Sequence, residues 1–253
     1  MIKMSIAEVL LTYDEVLATY KNKQSGKKAL VRYRALFPIR SSARVAGIIA
    51  DLMGDGHLQP WPKLRIDYTS KSTIELQRFN NEIHAFFGVK GRVRKCTTNR
   101  YGTKNIGVNN KPLARTLGLL GVPAGNKVFQ RFPIPTWILN DKAYFARFIN
   151  RLISCEGCVD TKNRYIELKM YKTTELLEDG MVFFRQIKQG LKNHFGIETT
   201  EPFLEGRTNR RKDGRTTKGI RIKIKRKEAV KRFYEHIGIE DKKKHKKLEK
   251  ITR

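Results

Sequence analysis

Acidic side chains are scarce in this 253-residue chain, where 24 Asp and Glu stand against 53 Lys and Arg for a formal charge of +29. So cationic a chain repels itself, and a polyanion is the partner that relieves the repulsion. Nucleic acid is the first candidate and an anionic membrane surface the second. Cysteine is rare as well. Cys96, Cys155 and Cys158 are an odd number in a long chain, which argues against a disulfide framework and for a reducing compartment. Apolar runs stay well short of the ~18 to 20 residues that span a bilayer. The first residues include Glu8, Asp14 and Glu15, unlike an acid-poor transit peptide, so the expected location is the cytoplasm, or the matrix of an organelle that expresses its own genes. Trp occurs only twice, yet 13 Phe, 9 Tyr and 40% apolar residues supply a core and exclude a disordered basic tail.

The opening segment reads as helix, with Ser5 and Glu8 as a capping-box pair and Val9, Tyr13, Val16, Leu17 and Tyr20 on one face. Residues 1–43 are taken as a small helical extension that packs on the main body, with a helix-turn-helix unit as the alternative. From residue 44 the chain repeats itself. Val45 to Gly56 and Phe145 to Gly157 are each an apolar, helix-length run ending in an acid and a glycine, Asp55-Gly56 and Glu156-Gly157. Lys71 and Lys172 follow these glycines at equal offsets, which predicts mirrored positions. Each copy then runs through a helix closing in Phe87-Gly88 or Phe195-Gly196, two strands and a short helix.

The boundaries follow: extension 1–43, first repeat 44–126, linker 127–141 with Pro133, Pro135 and Trp137, and second repeat 142–253. The fold class is α+β. Alternation in Ile220-Arg221-Ile222-Lys223-Ile224-Lys225 puts isoleucines on one side and cations on the other, and Lys63 to Asp67, Arg92 to Arg94 and Asn105 to Asn109 repeat the pattern. The surplus length of the second copy falls at 206–219, whose Arg207, Arg210, Arg211, Lys212, Arg215 and Lys218 read as a long basic loop.

The two acid-glycine runs resemble the paired motifs of monomeric, two-motif LAGLIDADG homing endonucleases. Ile134-Pro135-Thr136-Trp137-Ile138 is similar to the segment before the second motif in that family. The resemblance spans roughly residues 44–250. It implies two pseudo-twofold-related αββαββα-type half-domains with DNA-binding antiparallel sheets, and motif helices side by side at the axis. Small residues Ala46, Gly47, Ala50 and Gly54 suit that seam, whereas Arg151 stands where the family has glycine.

What the resemblance implies about function is a Mg²⁺-dependent, site-specific double-strand DNA endonuclease, acting as a monomer on a long asymmetric target in intron homing, with Mn²⁺ able to substitute. Asp55 and Glu156 are the expected catalytic and metal-binding acids, because two convergent carboxylates give a hard cation its oxygen ligands. The main-chain carbonyls of Gly54 and Cys155 map to further metal ligands, and Lys71 and Lys172 to basic residues at the scissile phosphate. Expected DNA contacts are Lys63, Arg65, Asp67, Ser70, Arg92, Arg94, Asn105, Asn109, Lys169, Tyr171, Arg221, Lys223 and Lys225, since Arg and Lys can reach guanine and Asn adenine in the major groove.

Plainer readings compete. Helix-terminal acids and solvated lysines are common. The Cys155-x-x-Cys158 pair has too few companions for a zinc site. A chain that neither begins with Cys or Ser nor ends in His-Asn is expected not to be a self-splicing intein. The alternatives to cleavage on the same scaffold are a maturase that binds intron RNA and a non-cleaving DNA-binding regulator.

Overall fold

The computed structural model describes residues 7–96 and 102–253. Strand β1 (Val9–Leu11) opens this part of the chain, followed by helices α1 (Tyr13–Ala18) and α2 (Lys23–Leu30), a 3-10 turn and strand β2 (Ile39–Arg40), which pairs antiparallel with β1. Residues 7–43 are thus mainly helical but not wholly so. Of the expected capping pair, Ser5 lies outside the described residues and Glu8 precedes a strand. The capping box forms instead at Thr12, whose hydroxyl accepts from the Glu15 N–H while its own N–H donates to Glu15 Oε2 at 2.7 Å. Val16, Leu17, Leu30 and Tyr33 join the main core.

The first half continues with α3 (Ala43–Met53), β3 (Gly56–Leu58), β4 (Ile66–Ser70), α4 (Thr73–Phe87), β5 (Arg92–Lys95), β6 (Lys104–Val108) and α5 (Lys111–Leu119). After a 3-10 turn at Lys127–Phe129 and α6 (Thr136–Asn140), the second half runs α7 (Lys142–Glu156), β7 (Gly157–Asp160), β8 (Tyr165–Thr173), α8 (Leu177–Phe195), β9 (Phe203–Arg210), β10 (Thr216–Ile224), α9 (Lys227–His236) and α10 (Lys242–Thr252). Each half holds a four-stranded antiparallel sheet of the same order, β3-β4-β6-β5 and β7-β8-β10-β9. Period-two alternation explains the layering. Ile66, Tyr68, Ile106 and Val108, and likewise Ile166, Leu168, Ile220 and Ile222, face helices and are buried. Helices α4 and α8 end in glycines at positive φ, Gly88 (+71°) and Gly196 (+61°), where side chains are disfavoured.

Residues 206–219, read as a loop, are instead mostly strand. They form the distal part of a hairpin in which Lys218 pairs with Thr208, and only the tip around Arg211–Arg215 turns. The β9 side is mostly exposed, which agrees with its charge, whereas Thr217 and Gly219 of β10 are buried. Alternation was hidden because polar residues lie on both faces.

Candidate active site at the helix seam

Helices α3 and α7 pack against each other along the axis relating the halves. Gly54 is needed at this contact: a Cβ there would lie 2.4 Å from the Cβ of Cys155. The arginine at 151, unexpected in a small-residue seam, is fully buried and made tolerable by acids. Arg151 donates from Nε to Asp51 Oδ1 (2.9 Å), from Nη2 to Glu75 Oε2 (2.6 Å) and from Nη1 to Glu240 Oε2 (3.1 Å). Arg78 adds a bidentate pair to Asp51, both contacts at 2.9 Å.

Asp55 and Glu156 follow at the lower ends of the two helices. Asp55 opens to solvent and Glu156 is half-buried, yet both sit in a recess crowded by protein. Desolvation raises both carboxyls above their ordinary values, Asp51 adding to the rise of Asp55 and Asp55 to that of Glu156.

Two lysines that sequence reasoning missed close this recess. Lys127 donates its ammonium to the carbonyls of Gly54 and Gly56, the latter at 3.0 Å. Lys244 donates to the carbonyls of Ile153 (3.2 Å), Ser154 (2.6 Å) and Cys155 (3.1 Å). Each therefore caps the C-terminal end of one motif helix, where unpaired carbonyls favour a cation. Both offset the charge of Asp55 and Glu156. Burial lowers the Lys127 pKa while the two acids oppose the shift. Ser154 holds Lys244 in place, its hydroxyl accepting from the N–H groups of Glu240 (3.1 Å) and Asp241 (3.3 Å) where α10 begins.

The carbonyls of Gly54 and Cys155, expected as metal ligands, accept from the ammonium groups of Lys127 and Lys244. Lys71 and Lys172 also differ from expectation. Gly56 pairs with Tyr68 but Gly157 pairs with Leu168, so the first hairpin is one residue longer and equal sequence offsets are not equal places. A one-residue slip reverses the face of a strand. Lys71 follows the end of β4 and lies exposed, with Lys242 and Lys243 around the same depression. Lys172 points inward, donating to the carbonyls of Lys127 (2.9 Å) and Gln130 (2.6 Å), with its Nζ 3.8 Å from the centroid of the Phe132 ring. Burial brings its pKa down to about 8.

The sheet faces gather most of the other expected residues. Arg65, Asp67, Asn105, Arg92 and Arg94 share the outer face of the first sheet, by the pairings Asp67 with Gly107, Arg92 with Gly107 and Arg94 with Asn105. Lys169, Tyr171, Arg221 and Lys223 share that of the second, where Arg221 pairs with Lys169. Lys63 lies in the exposed β3–β4 turn, Asn109 just past β6 and Lys225 just past β10. Ser70 belongs to a different place, since its hydroxyl accepts from the Ser72 N–H at the start of α4. Carboxylates temper the face. Arg65 pairs with Asp67 at 3.0 Å, Lys223 with Glu167 at 3.1 Å, and Lys169 with Glu205 at 2.7 Å. Glu205 also takes Arg221.

The family model described as the LAGLIDADG-like domain matches residues 143–238, from the start of α7 to just past α9. Over those residues the second half is similar to a LAGLIDADG-like domain. The first half repeats its sheet order, and the whole has the LAGLIDADG homing endonuclease fold. The homing endonuclease I-WcaI bound to its DNA recognition sequence superposes with a TM-score of 0.52 at 14% identity, over 90% of this chain and 92% of that one. Mesophilic variants of the homing endonuclease I-DmoI give a TM-score of 0.50 at 15% identity, over 77% and 88%. In sequence, the chain is 28% identical to a tRNA-splicing ligase RtcB of Methanopyrus kandleri, over 82% of this chain but 22% of that protein. It is 26% identical to the RtcB of Methanocaldococcus jannaschii, over 90% of this chain and 26% of that protein. The chain thus spans about a quarter of the length of these curated relatives. No described helix is long and apolar enough to cross a membrane.

Among the described residues, no group of three or more His, Cys, Asp or Glu converges as a metal cage. Two carboxylates with raised pKa values at the mouth of a recess nevertheless suit a hard cation that keeps water and phosphate as its other ligands.

Proposed function

We propose that this LAGLIDADG-like protein is a site-specific double-strand DNA endonuclease that hydrolyses phosphodiester bonds at the seam of its two halves. The observation that carries the reading is the convergence of Asp55 and Glu156 with Lys127 and Lys244, one acid and one lysine per motif helix, between two sheets with cationic outer faces. A duplex lying across both sheets brings its phosphates to that recess. The fold shared with I-WcaI, which is bound to its DNA recognition sequence, supports this placement. The named activity of the RtcB relatives is not carried over, since the similarity covers about a quarter of those proteins.

Asp55 and Glu156 would hold Mg²⁺ or Mn²⁺, which supplies Lewis-acid activation of water and of the scissile phosphate. Lys127 and Lys244 neutralise charge beside the phosphate. Lys127 Nζ, whose proton is held less firmly than in water, is placed to give a proton toward the leaving 3′ oxygen. Lys172 fixes the backbone that carries Lys127. The sheet residues position the duplex by phosphate and base-edge contacts. The halves differ in sequence, so the target is asymmetric and one chain suffices.

A pooled library of duplex targets, incubated with protein and Mg²⁺, tests the reading. Cleavage of a defined sequence is expected, lost by at least 100-fold in Asp55→Asn or Glu156→Gln while duplex affinity persists. Binding without cleavage, in the presence of Mg²⁺ or Mn²⁺, would establish the regulator reading instead. Preferential binding of structured intron RNA would favour the maturase.

A further inference from the structure

We propose that a groove between the N-terminal segment and the first half-domain holds an unpaired nucleotide of a nucleic-acid strand. The groove has a volume of about 540 Å³ and is lined by Tyr20, Lys21, Trp61, Lys111 and Arg115, with Asn22 at one rim. It lies apart from the seam. Strand β3 leaves the recess at Gly56, and Trp61 sits in the turn at the opposite end of the β3–β4 hairpin.

Its chemistry is that of a base and its phosphates. Trp61 is 64% exposed, although a large apolar ring normally buries itself, and so presents a flat stacking face. Two cations stand near that ring, Lys111 Nζ at 5.6 Å and the Arg115 guanidinium at 5.9 Å from its centroid. Arg115 is held over the Tyr20 ring at 4.1 Å, with Nη1 donating to the Thr19 carbonyl at 2.7 Å, so its position is set before any ligand arrives. Among the described residues, Tyr20 Oη and Arg115 Nε are buried without a hydrogen-bond partner, leaving the floor underpaired by protein alone. Helix α2 also begins at the groove after its Asn22 cap, and its first-turn N–H groups favour an anion.

A stacking ring with cations beside it is the arrangement that binds single strands, because every base has a π-face and every link a negative charge. A duplex keeps its bases stacked on each other and cannot offer one to Trp61. Three cations exceed what one phosphodiester requires, which favours consecutive links of a strand over a lone nucleotide. The groove and the seam are separate sites, so this proposal does not depend on cleavage.

The chain has two Trp, so Trp137→Phe leaves Trp61 as the sole indole reporter. In that background, a ten-nucleotide dT strand is expected to quench Trp61 emission saturably. A blunt duplex and free dTMP should quench at least tenfold less at equal nucleotide concentration. With Trp137 restored, Trp61→Ala should weaken binding of a labelled dT strand about 5- to 100-fold, the effect of one lost base-stacking partner. Lys21→Ala with Lys111→Ala, both exposed, should weaken it with an unchanged melting temperature, whereas Arg221→Ala on the far sheet should leave Trp61 quenching intact. Equal quenching by duplex, by dTMP or by an oligoglutamate peptide would overturn the proposal, as would no quenching at all.

Discussion

Burial raises Asp55 and Glu156 and lowers Lys127, so the groups at the recess hold their charges less firmly than in water. The signs give opposite pH trends. As pH falls through the raised carboxyl values, the acids protonate and cleavage should decline at a higher pH than an ordinary carboxylate would dictate. Without divalent cation, the same window should stabilise the fold, because the folded state binds more protons than the unfolded one. Cleavage rate and chemical denaturation measured in parallel from pH 4 to 7 check both trends. Lys172 behaves oppositely. Its pKa of about 8 lies below the unfolded value of 10.5, so its burial penalty is full below pH 8 and stability should rise between pH 8 and 10.5. Lys172→Met should abolish that rise and lower kcat without weakening DNA binding, because the Lys127 backbone loses its two-carbonyl clamp. Asp55 and Glu156 were legible in the sequence, since an acid before a glycine at a helix end is a local pattern. Lys127 and Lys244 were not. They meet their carbonyl partners across 73 and 89 residues, and Lys244 hides in a lysine-rich run.

Helices α3 and α7 are joined by ions where the sequence suggested small residues. Asp51 and Arg151 are both fully buried, and removing one partner of such a pair leaves an uncompensated charge. Asp51→Asn should therefore cost about 3–5 kcal/mol in urea denaturation. Gly54→Ala should also destabilise, by about 1–3 kcal/mol, because its methyl meets Cys155. The helices and the paired sheets were readable from periodicity. The short strand β1 was not, since Val9 also falls at helical spacing with Tyr13, Val16 and Tyr20, and only pairing with Ile39–Arg40 decides between them. The single-residue difference between the β3–β4 and β7–β8 hairpins was invisible for a similar reason: two equal offsets conceal unequal turns.

Across the molecule the positive charge is uneven, with 20 of the 53 Lys and Arg in residues 201–253. Duplex affinity should fall steeply with salt, about tenfold or more for each doubling if several phosphates are contacted. Glu205 restrains that charge by holding Lys169 and Arg221. Glu205→Gln should raise affinity for random duplex several-fold and narrow the margin for the preferred target, as measured by competition at fixed salt. The ion pair at the seam sets a rule for assembly. Aligning Asp55 with Glu156 places Arg151 where the first motif has Ala50, and Asp51 where the second has Leu152. A second half docked on its own duplicate would bury Arg151 against leucine, and a first half docked on its duplicate would set Asp51 against alanine. Arg78 and Glu240 still pair with Asp51 and Arg151 within each half, but the bond across the seam is lost in either homodimer, so a chain cut in the linker should reassemble preferentially as a heterodimer.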